Sequence, residues 1–219
     1  MAGLHLWYSP AMLDDVAPKK ASARERLLDE AEASVLRKGF AATSIDELIA
    51  AAGISKSGFF YHFRDKNDLA KALLARYIET DRRVLDELFA RADALNDDPL
   101  HGFLVFLKFL AEMLEQMAEA HPGCLVASYC YQEQLFSHDI REMNRAALLA
   151  WRERFGARLE RIAARYPPRV EVDLRDLADM ATAIVDGSIT LSKTLRDRSL
   201  LPKQVMLYRA FVRTIFTPG

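Results

Sequence analysis

Between Thr43 and Phe63 the sequence runs Thr43-Ser44-Ile45-Asp46-Glu47, then Ala51-Ala52-Gly53-Ile54-Ser55-Lys56-Ser57-Gly58-Phe59-Phe60-Tyr61-His62-Phe63. Hydroxyls, a lysine and small residues alternate there with apolar ones. Lys56 can donate to guanine O6 and N7 or to a phosphate. Serine and tyrosine hydroxyls, together with Thr43 and Ser44, suit phosphate oxygens, and Lys66 can add a cation from the next helix. Ser57 and Gly58 open a helix with small side chains, so its backbone can approach a duplex closely, where unpaired N–H groups favour phosphate. The chemistry on offer is the reading of phosphates and base edges.

A second group is aromatic and sulfur-rich. Phe103, Phe106, Met113, Met117 and Trp151 can wall an adaptable apolar pocket, with Lys108, Tyr129, Tyr131 and Gln132 as polar handles. Taken singly, each of these is more ordinarily plain core, and only the ensemble suggests a cavity. Cys124 follows Gly123 at an expected helix start, where the helix dipole lowers a thiol pKa, although a lone cysteine usually packs as a small hydrophobe. His121, Cys124, Cys130 and His138 are separated by two, five and seven intervening residues, which matches no common zinc pattern. No Glu-x-x-His pair, phosphate-binding Gly-rich loop or Gly-x-Ser-x-Gly elbow occurs. No enzyme activity, metal or cofactor is expected.

The elements that must carry these residues are helical. No stretch alternates with period two, and Gly39, Gly53, Pro99, Pro122-Gly123 and Pro167-Pro168 punctuate segments of helical period. The first helix is expected over about 21–38, with Leu27, Leu28, Ala31 and Val35 on one face. Ser44 and Glu47 form a capping box for a second helix that Gly53 ends, and Ser55 caps a short third helix to Phe63. Longer helices follow over about 65–92, 100–120, 124–136, 139–166, 173–196 and 201–216. Two short helices meeting at a glycine turn, with a third behind them, make a helix-turn-helix whose second helix can enter a major groove. The architecture is all-α with about nine helices.

Composition bounds the rest. The 219 residues are 51% hydrophobic and 28% charged, with a net charge of −1, the profile of a globular protein with a substantial core. Residues 16–80 carry an excess of only two positive charges, which by itself does not argue for DNA. Two cysteines are too few for a disulfide framework and fit a reducing cytoplasm. The apolar run Phe103–Leu114 is broken by Lys108 and Glu112, so no membrane span is expected, and the first ten residues lack the features of a signal peptide.

Leu27-Leu28-Asp29, Gly39-Phe40-x-x-Thr43-Ser44-Ile45, Ala51-Ala52-Gly53-Ile54-Ser55-Lys56 and Phe59-Phe60-Tyr61-His62-Phe63-x-x-Lys66-x-x-Leu69 together resemble the N-terminal domain of tetracycline-repressor (TetR) family regulators. The resemblance covers about residues 24–70. It implies a DNA-binding domain over 21–67, preceded by a flexible arm at 1–20 and followed by a helical effector-binding and dimerisation domain at 68–219. It places Thr43, Ser44, Lys56, Ser57, Gly58, Phe60, Tyr61, His62 and Lys66 at the DNA. Position 60 departs from the family, which often has tyrosine there, so one phosphate-contacting hydroxyl is missing. The implied partners are a double-stranded palindromic operator, a small apolar or aromatic effector and a second copy of the chain, joined through the last two helices. The implied function is a cytoplasmic transcriptional regulator, a repressor released from DNA by its effector. Pro122-Gly123-Cys124-Leu125-Val126-Ala127-Ser128 resembles a segment of some members' effector domains, a few of which sense oxidants or electrophiles by a cysteine. A thiol-sensing repressor through Cys124, or a helical ligand-binding protein with a non-functional DNA-binding head, are the alternatives.

Overall fold

The structure, a computed structural model, describes residues 21–217, so the arm expected at 1–20, with Lys19 and Lys20, lies outside the described residues. Among these residues there are nine α-helices and no strand: α1 (Ala23–Lys38), α2 (Ile45–Ala52), α3 (Lys56–His62), α4 (Lys66–Asp93), α5 (Pro99–Glu115), α6 (Leu125–Cys130), α7 (His138–Arg165), α8 (Leu174–Leu195) and α9 (Leu200–Phe216). A 3-10 turn at Glu133–Leu135 follows α6.

The helix ends follow from local chemistry. Ser22, Ser44, Ser55 and Asp98 each accept a backbone N–H three residues on, which satisfies one of the open donors of α1, α2, α3 and α5. Gly53 closes α2 in the left-handed region, at φ 63°. Two segments differ from the periodicity. α5 stops at Glu115 rather than near 120, and Arg198 donates to the carbonyls of Ala118 at 2.9 Å and Met117 at 3.4 Å, replacing the helical bonds that would have continued it. The helix expected over 124–136 ends at Cys130 and becomes the 3-10 turn.

The chain packs as two compact units, divided within α4 and α7. Of the described residues, the first holds 21–78 together with 122–144, a segment that the sequence pattern groups with the C-terminal helices. Its core is Leu27, Leu28, Ala31 and Val35 of α1, Leu48 and Ala52 of α2, Phe59 and Phe63, and Leu69 and Leu73 of α4. The second unit holds 79–121 and 145–217, with α5 and α8 each packed against α9. Its core is aromatic: Phe89 stacks on Phe106 at 3.6 Å between centroids, and Phe155 meets Phe89, Phe103 and Phe106 edge-on.

Candidate nucleic-acid interface

The path to the interface begins at the α1–α2 turn. Gly39 leaves α1 at φ 85°, a backbone state that favours glycine. Ser34 and Thr43 share a buried hydroxyl–hydroxyl bond of 3.0 Å, and the Lys38 ammonium takes both oxygens of Glu47. That ammonium holds the Glu47 carboxyl below its ordinary range. Arg26 reaches across from α1 to the carbonyl of Ala52 at 3.0 Å, tying the far end of α2.

α2 therefore has both ends fixed, and Gly53 turns the chain so that α3 leaves at a set angle. Ser55 accepts the N–H of Gly58 at 3.1 Å and pairs with Ser57 at 2.9 Å. Phe59 and Phe63 point into the core. Ser57, Phe60 and Tyr61 turn away from the core to solvent, with Tyr61 85% exposed, and Lys56 is exposed at the first position of the helix. Gly58 and His62 are half-buried beside them, and Ser44 is exposed at the start of α2. Lys56 lies 3.7 Å from Asp46, a neighbour that sequence reasoning missed. Both are largely exposed, and such a pair is worth little, so the lysine can leave it for another anion at small cost.

Two of the expected DNA contacts are engaged within the turn in this structure. Thr43 is buried, and its hydroxyl donates to the Gly39 carbonyl besides meeting Ser34, so the side chain is spent inside the turn. Lys66 is turned inward: its ammonium donates to the Phe40 carbonyl at 2.6 Å and lies 4.2 Å from the centre of the Phe40 ring. Partial burial and the nearby charge of Lys38 lower its pKa.

The pocket candidates do not gather into one site. Tyr129 is buried in the first unit and donates to the Ala70 carbonyl at 2.9 Å, and burial raises its pKa. Tyr131 is 85% exposed, and Gln132 accepts the N–H of Ala41. In the second unit Phe103 and Phe106 are core, Lys108 is an exposed partner of Glu112, and Met113 and Met117 are half-buried. Trp151 alone of the nine lines the apolar cavity there, beside Leu107, Leu110, Phe155, Ile184 and Tyr208. That cavity has about 10 Å³ of free space, room for one water-sized body, whereas ligand pockets run to hundreds of Å³. Trp151 also donates to Asp81 at 2.6 Å, and burial pushes that carboxyl up to about 6. Cys124 accepts the Ala127 N–H at 3.4 Å as the cap of α6, and neither cysteine forms a disulfide. Among the described residues no cluster of His, Cys, Asp or Glu could hold a metal, and no helix is long and apolar enough to cross a membrane.

Sequence reasoning also missed Arg76 of α4. Its guanidinium meets Asp29 and Glu32 of α1 at 2.7 Å each and Glu25 at 3.4 Å. The two close partners are nearly buried, and their charges raise the arginine's pKa.

Residues 27–73 match the family described as bacterial regulatory proteins, tetR family. Over 141 residues the chain is 27% identical to the transcriptional regulator AcuR of Cereibacter sphaeroides, covering 63% of this chain and 61% of that one. It is also 27% identical to the HTH-type transcriptional repressor NemR of Escherichia coli over 120 residues, 54% of this chain and 57% of that one. A solved TetR transcriptional regulator from Chloroflexus aurantiacus is similar with a TM-score of 0.71 and 26% identity, over 89% of this chain and 96% of that one. These similar proteins are transcriptional regulators, not enzymes.

Proposed function

We propose that the chain, whose residues 27–73 match the tetR family of bacterial regulatory proteins and whose similar proteins are transcription regulators, is a homodimeric cytoplasmic repressor released from a palindromic operator by a small apolar or aromatic ligand. The observation that carries the reading is the outward face of α3. Lys56, Ser57, Phe60 and Tyr61 stand exposed on a helix whose inner side is anchored by Phe59 and whose start is capped by Ser55. Ser44, Gly58 and His62 border that face, and similarity to the transcriptional repressor NemR supports repression.

Two such heads in one dimer would meet successive major grooves about 34–36 Å apart. Pairing of two copies through α8 and α9 is supported by Leu191, Leu195, Met206, Leu207 and Phe211, large apolar side chains left exposed there. Because the cavity beside Trp151 is too small for a ligand, effector binding would select a rearranged second unit, and the ligand's preference for that state sets the largest shift it can cause. A second reading rests on Cys124, half-buried at the start of α6: oxidation of its thiol would be the releasing signal.

The test is binding to a duplex from the region upstream of the protein's own gene. Wild type should prefer it over random DNA, and Lys56→Ala should lose about 1–3 kcal/mol if the lysine reads a base. If it meets a phosphate, binding should fall on all sequences alike and the salt slope should shrink by about one. No preference by wild type would sink the function.

A further inference from the structure

The α1–α2 turn, residues 39–44, has no regular backbone ladder of its own, yet it sets where α2 begins. Its backbone is held from two sources. From residues within 21–78 come the Ser34–Thr43 pair, the Lys66 ammonium on the Phe40 carbonyl, and the bond from the Thr43 N–H to that same carbonyl. From the segment 122–144 comes a separate set. The Phe40 ring lies against Phe136 at 4.7 Å and Tyr129 at 6.2 Å, and those two rings stack at 4.2 Å. Above them the Gln132 Oε1 accepts the backbone N–H of Ala41 at 3.1 Å, across 91 residues of sequence.

The fit around Gln132 is close. A Cβ at position 39 would stand 2.6 Å from Gln132 Nε2, so the glycine that the turn needs for its φ also clears the space that the amide occupies. Gln132 is itself held at the junction of α6 and the 3-10 turn, where its N–H donates to Tyr129 and its carbonyl accepts from Leu135. A shift of α6 or of the 3-10 turn thus carries the amide with it. Three residues beyond Ala41, Ser44 caps α2.

We propose that Gln132 is a positioning residue for DNA recognition: its side-chain amide holds the α1–α2 turn in the orientation that presents Ser44 and α3, and through it the segment 122–144 sets the DNA affinity of the first unit. The inference rests on the DNA-binding reading above. It makes Gln132 a brace for the turn, where its sequence position had suggested a ligand handle. It also gives α6 a direct effect on the head without any change in the α3 face itself.

The experiment compares full-length wild type, Gln132→Met and Gln132→Glu. Methionine keeps the length and removes the acceptor, whereas glutamate keeps the acceptor. The first readout, amide hydrogen exchange of the free protein, needs no DNA. The Ala41 amide should exchange about fivefold faster in the Met variant and return to the wild-type rate in the Glu variant, with the Leu28 amide inside α1 unchanged in both. The second readout is affinity for the upstream duplex, which should fall about fivefold in the Met variant. Unchanged Ala41 exchange in the Met variant would overturn the proposal, as would equal acceleration at Leu28, which marks general destabilisation. So would faster Ala41 exchange with DNA affinity within twofold of wild type. If wild type itself fails to prefer the upstream duplex, the DNA-binding reading has failed, and the exchange result still decides whether Gln132 holds the turn.

Discussion

In the unit built from residues up to 78 and 122–144, neighbouring segments are joined by polar contacts with one allowed geometry. Ser34 meets Thr43, Arg26 meets the Ala52 carbonyl, Lys38 meets Glu47, and Arg76 gathers three carboxylates. In the unit of 79–121 and 145–217 the centre is a stack of rings, with directional bonds such as Trp151 to Asp81 and Tyr208 to the Leu177 carbonyl set around it. Its ion pairs, Arg152 with Asp179 among them, are about as exposed as Lys38 with Glu47 in the first. A hydrogen bond is directional and fixes an angle, whereas apolar packing rewards burial and depends only weakly on direction. The first unit is thus built to hold a small face in a set orientation. The second is held chiefly by the packing of its rings.

The contrast can be broken most forcefully in the ring stack. Phe155→Ala should cost about 3–5 kcal/mol of stability, read by urea unfolding with Trp151 emission in a Trp7→Phe background. A loss under about 1 kcal/mol would mean that the rings do not hold the second unit. In the first unit, Arg76→Ala leaves Asp29 and Glu32 nearly buried without their cation. It should cost about 2–4 kcal/mol, less than a fully buried pair because the arginine is partly solvated. Helical circular dichroism through a urea titration would show it, and an unchanged midpoint would strip the polar joints of their importance.

Asp81 sharpens the comparison by pH. Its carboxyl titrates at about 6 rather than 3.8 because burial disfavours the charge. A folded pKa raised above the unfolded one means that its contribution to stability is fully present below about 3.8 and is lost as pH rises through about 6. Asp81→Asn keeps an acceptor for Trp151 and should stabilise the protein by about 1–2 kcal/mol at pH 8 but not at pH 4. Equal melting shifts at the two pH values would contradict this. The smallest effect is expected at Cys124. If the signal is a ligand in the second unit, Cys124→Ser should change stability and DNA affinity by under about 0.5 kcal/mol. Hypochlorite should then act on wild type and mutant alike. Loss of the hypochlorite response in the mutant alone would favour the thiol reading.

What could be read beforehand was what is decided within one or two turns of chain. Ser44, Gly53 and Ser55 bound α2 and α3 through bonds three or four residues long, so residue type and spacing suffice. The exposure of Ser57 and Tyr61 opposite Phe59 follows from helical period, whereas Lys56 is exposed because it begins the helix. The burial of Thr43 was hidden because it depends on Ser34, on a different helix. Arg76 finds its carboxylates 44 to 51 residues back, and Gln132 finds Ala41 across 91. No local pattern encodes such pairings. The inward turn of Lys66 was hidden for the same reason: a lysine after α3 suits a phosphate as well as a carbonyl, and only the position of Phe40 decides between them.

The discontinuity of the first unit also has a consequence in time. Residues up to 78 leave the ribosome well before 122–144, with 66 residues made between Ile78 and Asn144. At about 5–20 residues per second, the nascent head waits about 3–13 seconds for the rings that flank Phe40 and the amide that fixes Ala41. During that interval a helix-turn-helix can form while one wall of its aromatic core is still unmade. The first moment at which the chain can present a fully braced head is therefore set by translation of its middle, not by completion of its N-terminus.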